Sequence, residues 1–124
     1  MLRNIFLLLA IMASTAARAV EFPYTQQRFD TLQQQGEPIL VFIHAVWCPT
    51  CKKQEIILGE LLPRKEFEKL TVLKVDFDKQ MEVVRGFGVK YQSTLIVFRN
   101  GKEKGRSTAS TDRNEIVALL RRSL

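Results

Sequence analysis

Cysteine and histidine are scarce in this chain of 124 residues, which holds two cysteines and one histidine. A disulfide between Cys48 and Cys51 would close too small a loop to remove much entropy from the unfolded chain, so a purely structural bridge is disfavoured. A structural zinc site normally needs four Cys or His ligands, and this chain has too few. Covalent haem attachment is also disfavoured, because Lys52 stands where a Cys-X-X-Cys-His motif requires histidine.

Long apolar runs are absent as well. The run at 5–13 (IFLLLAIMA) is too short to span a bilayer, since a membrane helix needs about 20 apolar residues. Arg3 precedes this run, and an Ala-Arg-Ala sequence at 17–19 follows it with small residues at the positions that signal peptidase reads. We therefore predict that residues 1–19 are a cleaved signal peptide and not a membrane anchor. Residues 20–124 are then a single exported domain.

Acidic residues are outnumbered, with 13 Asp and Glu against 19 Lys and Arg, and the net charge is +6. Removing the two arginines of the predicted signal peptide reduces this charge from +6 to +4. Such a mild excess favours solubility and weak steering toward acidic partners. An exported protein meets little nucleic acid, so no nucleic-acid function is expected. We expect the domain to be a monomer.

Apolar runs bounded by turn residues predict the elements of this domain. The run at 39–43 does not alternate with polar residues, which is typical of a central strand buried on both faces. Asn100-Gly101 predicts an antiparallel hairpin, and Asp112 and Glu115 have the spacing of a capping box. The predicted elements are a short edge strand at 20–22, helices at 25–35, 48–62, 81–87 and from 112 onward, and strands at 39–43, 72–75, 94–98 and 103–107. The predicted fold class is α/β, with a central mixed β-sheet flanked by helices on both faces.

The segment Trp47-Cys48-Pro49-Thr50-Cys51 lies where the predicted central strand ends and a helix begins. Pro49 suits the first turn of a helix, because an N–H at that position would have no helical partner. Cys48 then sits at the helix N-terminus, where unpaired N–H groups and the helix dipole favour a thiolate, the nucleophile in disulfide exchange. Cys51 follows one turn later, close enough to attack a mixed disulfide on Cys48 and release the partner.

A series of landmarks extends along nearly the whole of the chain after residue 19. They are Ile39-Leu40-Val41, Ala45, Trp47-Cys48, Cys51-Lys52, Lys74-Val75-Asp76, Gly88-Val89, Thr94-Leu95, Phe98 and Asn100-Gly101. These landmarks resemble the thioredoxin family, and in particular small exported bacterial proteins with a Gln-Ser-Thr sequence before the last core strand. The resemblance implies a thioredoxin fold and exchange with protein thiols and disulfides, with no nicotinamide, flavin or metal cofactor. It also implies that Cys48 attacks, that Cys51 resolves, and that Trp47 packs beside the site or serves as an ordinary core aromatic.

The direction of electron flow is predicted by analogy. The chain lacks the helical insertion of dedicated periplasmic oxidants, and a small thioredoxin domain in an oxidising compartment usually receives electrons from a membrane thiol carrier. We therefore expect a reductase in the periplasm of a Gram-negative bacterium, with such a carrier among its partners. One alternative is a metal-binding module that carries Cu(I) on the thiolates of Cys48 and Cys51. A redox-inert interaction domain is the other.

Near the site, Phe42 and His44 depart from the family pattern or lie outside it, whereas Lys74 matches it. Phe42 stands where thioredoxins commonly bury an aspartate, and it cannot accept a proton, so slower deprotonation of Cys51 is expected. Lys74 matches the lysine that pairs with that aspartate, and it is expected to extend to solvent. His44 is expected to pack on the same face of its strand as Phe42. The alternative for His44 is an acid/base, or a cation that lowers the pKa of Cys48.

Two further departures concern the residues around the thiols. Pro49-Thr50 replaces the Gly-Pro of reductive thioredoxins, and the Thr50 hydroxyl either donates a hydrogen bond to the Cys48 thiolate or faces water. The first arrangement would make the disulfide more oxidising. Ser93 stands where the family has a cis-proline, and a cis bond without proline costs about 2.5–4 kcal/mol. The Gln92-Ser93 bond is therefore expected to be trans, or a strained cis bond kept for function, and the thiols are expected to be less shielded.

Overall fold

The computed structural model of this protein describes residues 18–124, so nearly all of the predicted signal peptide lies outside it. Within this part of the chain, no helix has the length and apolar character needed to cross a membrane. The elements are β1 (Val20–Pro23), α1 (Gln26–Gln34), β2 (Ile39–His44), α2 (Pro49–Leu61), a short 3-10 turn (Lys65–Phe67), β3 (Thr71–Asp76), α3 (Met81–Gly86), β4 (Thr94–Arg99), β5 (Lys102–Thr108) and α4 (Arg113–Arg121). The predicted elements are thus confirmed, with ends that differ by only a few residues.

The five strands form one mixed sheet in the order β1-β3-β2-β4-β5. β3 runs parallel to both β1 and β2, whereas β4 runs antiparallel to β2 and β5. β2 is therefore the central strand, as its unbroken apolar run predicts. The α/β fold class, a mixed sheet between helices, is confirmed.

Alternate residues of β2 point to two separate halves of the core. Leu40 and Phe42 pack in the cluster that contains the buried residues of α2 and α4. Ile39, Val41 and Ile43 pack in the cluster that contains the buried residues of α1 and α3. Helices therefore cover both faces of the sheet, and the period of two along a strand decides which half each side chain joins.

Side chains at the helix N-termini account for where two helices begin. Thr25 caps α1 by accepting a hydrogen bond from the Arg28 N–H at 3.1 Å. Asp112 caps α4 by accepting from the Glu115 N–H at 2.9 Å. The predicted capping box is only half formed, because the Glu115 carboxylate accepts from the Ser110 hydroxyl at 2.6 Å instead of returning to the backbone of Asp112.

The hairpin between β4 and β5 lies at the end of β4 that is remote from the two cysteines. Asn100 and Gly101 both have positive φ, 52° and 74°, which is the geometry of a tight two-residue hairpin turn. The register places Thr94, at the other end of β4, opposite Ile43 near the end of β2. Ser93, which precedes Thr94, therefore lies near the C-terminal end of β2, where α2 begins.

Candidate functional site

The two cysteines lie where β2 has ended and α2 begins. Cys48 is the N-cap residue of α2, and its Sγ accepts a hydrogen bond from the Cys51 N–H at 3.1 Å. Pro49 is in the first turn, as the sequence predicts, and Cys51 lies within that turn. Backbone N–H groups and the helix dipole are therefore directed at the Cys48 sulfur. Both cysteines are free and buried.

Ser93 lies against both sulfurs. Its Oγ is 3.1 Å from the Sγ of Cys48 and 3.1 Å from the Sγ of Cys51. With the hydroxyl in this position, Cys48 is only 2% exposed and Cys51 only 1%. The expectation that loss of the proline leaves the thiols less shielded is therefore wrong, because the serine side chain covers them.

The two thiols differ in acidity although they share these partners. Burial opposes ionisation of Cys48, but hydrogen bonds from the Cys51 side chain, the Ser93 hydroxyl and the Cys51 N–H hold its pKa below the ordinary value. Burial and the bond to Cys48 instead raise the pKa of Cys51. Cys48 is therefore the sulfur that ionises first and is suited to be the nucleophile.

The backbone at Ser93 takes an unusual conformation. No cis peptide bond occurs in residues 18–124, so the expectation of a trans Gln92-Ser93 bond is confirmed. Ser93 instead has φ of 63°, in the left-handed region that non-glycine residues seldom enter. This conformation directs its side chain to the sulfurs and its carbonyl to α2.

Thr50 and Trp47 flank the thiols in ways that the sequence does not reveal. Within residues 18–124, Ser93 and Cys51 contact the Cys48 sulfur and Thr50 makes no hydrogen bond to it, so of the two arrangements considered for the Thr50 hydroxyl the bond to Cys48 is not formed. Trp47 is 56% exposed, which excludes its alternative role as an ordinary core aromatic. Its Nε1 donates to Oδ2 of Asp78 at 2.7 Å, and this bond holds the indole beside the motif.

Lys74 has a partner that was not expected, whereas His44 packs as predicted. The Lys74 Nζ lies 2.8 Å from Oε1 of Glu55 in α2, so the lysine forms an ion pair and does not simply extend to solvent. His44 packs against Phe42 with ring centroids 5.7 Å apart, which confirms the shared face. Burial, with Lys74 as the next cause, lowers the pKa of His44. The imidazole is therefore neutral at neutral pH and is not the cation considered above.

Phe42 occupies the core directly under the site. It is 2% exposed and packs in the same cluster as both cysteines. The Lys74 Nζ is 6.0 Å from the centre of its ring. The aromatic ring therefore fills the place of a proton-accepting carboxylate, and Ser93 Oγ is the side-chain oxygen in hydrogen-bond contact with Cys51.

Gln54 is a site residue that sequence reasoning missed. Its side chain is fully buried, and its Nε2 donates to the Ser93 carbonyl at 3.0 Å and to the Ser110 carbonyl at 2.9 Å. The available signal was its place on α2, because it shares the inward face with Cys51 and Leu58. A glutamine at a core-facing helical position is unusual enough to indicate a buried polar contact.

The loops that approach the sulfurs carry exposed apolar side chains. Val46 and Trp47, just before Cys48, are 73% and 56% exposed, and Tyr91, just before the Ser93 turn, is 65% exposed. In the part of the chain that the structure describes, no group of three or more His, Cys, Asp or Glu is placed to hold a metal ion. The site therefore combines one acidic thiol, one resolving thiol and an apolar rim.

Comparisons with known proteins agree with this geometry. The thioredoxin family model matches residues 20–122. Thioredoxin from Chlamydia muridarum is 37% identical over 82 residues, which cover 66% of this chain and 78% of that protein. Thioredoxin Y, chloroplastic, of rice is 30% identical over 101 residues, and this match covers 81% of the chain but only 60% of the rice protein.

A solved structure is similar over almost all of its length. The crystal structure of Trxlp from Edwardsiella tarda has a TM-score of 0.78 and 41% identity, covering 82% of this chain and 98% of that one. The similarity to this structure, the match to the family model and the paired cysteines at the start of α2 all indicate the same family. This chain therefore belongs to the thioredoxin family, and its Cys-X-X-Cys pair makes it a thiol–disulfide oxidoreductase.

Proposed function

We propose that this protein is exported to the periplasm of a Gram-negative bacterium and there reduces disulfides of protein partners. The observation that carries the exchange chemistry is the position of Cys48 as N-cap of α2, where its sulfur accepts a hydrogen bond from the Cys51 N–H and lies 3.1 Å from the Ser93 Oγ. Hydrogen-bond donors at this sulfur favour the thiolate over the thiol. An ionised Cys48 beside a protonated Cys51 is the arrangement that begins exchange with a partner disulfide.

The reaction takes two steps. The Cys48 thiolate attacks one sulfur of the partner disulfide, and the other partner sulfur leaves as a thiolate that takes a proton from solvent. Cys51 then loses its proton and attacks the Cys48 sulfur of the mixed disulfide. The second partner thiol is released, and two electrons have passed from the Cys48–Cys51 pair to the partner.

The reductive direction rests on the form of the domain. Between β3 and β4 the chain contains only the short helix α3 and loops, with no inserted helical unit. The similar proteins reported above carry the name thioredoxin. We further propose that a membrane thiol carrier returns electrons to the Cys48–Cys51 disulfide, and that the protein acts as a monomer.

The proposed location rests on residues 1–19, which have the charge, apolar run and small residues of a signal peptide. Expression of the full chain in a Gram-negative host tests it directly. We expect the protein in the periplasmic fraction, with an N-terminus at residue 20 by mass spectrometry. Retention of the intact chain in the cytoplasm would refute export.

The reduction potential of the Cys48–Cys51 pair tests the direction. A value near that of thioredoxin, about −270 mV, supports a reductase, whereas a value near −120 mV, typical of a strong periplasmic oxidant, refutes it. The same preparation should reduce insulin with dithiothreitol as electron source. Replacement of Cys48 by Ser should abolish this activity, and Cys51→Ser should trap a mixed disulfide with the substrate. Stoichiometric Cu(I) binding with no insulin reduction would instead favour a copper carrier.

A further inference from the structure

The buried amide of Gln54 has a single possible orientation. Its Nε2 faces two acceptors, the carbonyl oxygens of Ser93 and Ser110, at 3.0 Å and 2.9 Å. Rotation of the amide by a half-turn would place Oε1 against the same two oxygens, with no proton between them. The two hydrogen bonds therefore determine how the amide is placed.

This arrangement leaves one polar atom of Gln54 without a partner among residues 18–124. Its Oε1 is buried and accepts no hydrogen bond from any of them. A buried acceptor in this state destabilises the folded protein, and each such group requires an explanation. An apolar side chain would fill this core-facing position without that cost, so the contribution of Gln54 lies in the groups that its Nε2 binds.

Nε2 holds the backbone of Ser93. The Ser93 carbonyl accepts from Gln54 Nε2 at 3.0 Å and also from the Ala109 N–H at 2.9 Å, so both of its lone pairs are used. These bonds offset the strain of a serine at φ of 63°. While Gln54 and Ala109 hold the Ser93 carbonyl, the Ser93 hydroxyl lies 3.1 Å from the sulfurs of both Cys48 and Cys51.

We propose that Gln54 is a positioning residue of the exchange reaction, which holds Ser93 so that its hydroxyl donates to the Cys48 thiolate. The hydroxyl has one proton, and Cys48 is the more acidic thiol, so the donated bond goes to Cys48. The proposal rests on exchange at Cys48 and Cys51, and not on the reductive direction or the compartment.

The hydroxyl favours the reduced pair over the disulfide. On oxidation, the Cys48 thiolate and the Cys51 thiol form an S–S bond, and Cys51 loses its proton. Two electrons, that proton and one more from solvent convert the partner disulfide into two thiols. A disulfide sulfur carries no negative charge, so the strong charge-assisted bond from Ser93 is lost in this step. Removing the hydroxyl should therefore make the pair harder to reduce and raise the pKa of Cys48.

Three variants test the proposal. Ser93→Gly removes the hydroxyl and adds no backbone strain, because glycine enters positive φ freely. Gln54→Met removes the amide and keeps a similar volume. Gln33→Met is the matched control: Gln33 also has a buried Oε1 with no partner in the described part of the chain, but it lies in α1 on the other face of the sheet. The readouts are the Cys48 pKa from thiolate absorbance and the equilibrium with glutathione.

In Ser93→Gly we expect the Cys48 pKa to rise by about one unit and the equilibrium to move about tenfold toward the disulfide, which corresponds to roughly 30 mV. Gln54→Met should give a smaller shift of the same sign, about threefold, because the Ala109 N–H still holds the Ser93 carbonyl. Gln33→Met should match the unmodified protein.

Two results would overturn the proposal. One is an unchanged Cys48 pKa in Ser93→Gly, a variant that retains the fold because the backbone is relieved of strain. The other is a folded Gln54→Met whose pKa and glutathione equilibrium equal those of Gln33→Met, which would leave Gln54 a purely structural role. Failure of the unmodified protein to exchange with glutathione would instead refute the exchange reaction itself.

Discussion

Replacement of Phe42 by Asp should speed the second step of exchange. Phe42 is 2% exposed and lies in the same core cluster as Cys51, so an aspartate there is buried near the resolving thiol. Burial raises a carboxyl pKa by up to about 3–5 units. The Lys74 Nζ, 6.0 Å from the centre of the Phe42 ring, opposes this by at most about 3 kcal/mol, because the lysine is also paired with Glu55 at 2.8 Å. The carboxyl pKa should then lie above the ordinary value of an aspartate, which makes the group a better base near neutral pH.

Phe42→Asn is the matched control, because it has the same shape as Phe42→Asp and no proton to exchange. Both variants lose a buried ring, which costs about 3–5 kcal/mol, so each must first be shown to be folded by thermal unfolding. Stopped-flow reaction with an aromatic disulfide reagent gives two phases, attack by Cys48 and then release by Cys51. The second phase should be at least about tenfold faster in the Asp variant than in the Asn variant. Its rate should also show an inflection with pH that the Asn variant lacks. Equal second-phase rates in the two variants between pH 5 and 8 would refute a role for position 42 in deprotonating Cys51.

Three further predictions concern groups around the site and the core. Burial and then the charge of Lys74 lower the pKa of His44, so Lys74→Met should raise that pKa in an NMR titration of the imidazole. An unchanged pKa would show that the lysine charge does not act on His44. Trp47→Phe removes the bond to Asp78 at an exposed position, so the free energy of unfolding should fall by no more than about 1 kcal/mol in denaturant titration. Burial, followed by the charge of Asp30, raises the pKa of Tyr24 to about 12. The unfolded chain therefore ionises first, and stability should fall as pH rises from about 10 toward 12, with a smaller fall in Tyr24→Phe.

The position of the reacting cysteines was predictable because it depends on local geometry. Cys48 and Cys51 are three residues apart. The hydrogen bond from the Cys51 N–H to the Cys48 Sγ and the first turn of α2 therefore involve only neighbouring residues. Pro49 in that first turn indicates the helix start directly. The strands and the Asn100-Gly101 hairpin were predictable for the same reason, since the alternation of side chains and the turn residues act over a few positions.

The partners of Lys74 and Cys48 were not predictable in this way. Lys74 was expected to extend to solvent because position 42 lacks an aspartate, but the lysine pairs with Glu55 of α2. Thr50 left two arrangements open, a bond to Cys48 or exposure to water, and the hydroxyl that contacts Cys48 comes from Ser93. Both contacts join residues that are distant in the sequence and that packing brings together.

The sequence by itself determined which sulfurs react and the helix terminus on which they lie, because the motif carries that information within a single turn. Only the tertiary structure decided what surrounds those sulfurs. The antiparallel register of β4 against β2 brings Ser93 to the start of α2, and Gln54 then holds it there. Residues more than 35 positions apart meet in these contacts, and pairing and packing of the whole sheet, not local preference, set their distances.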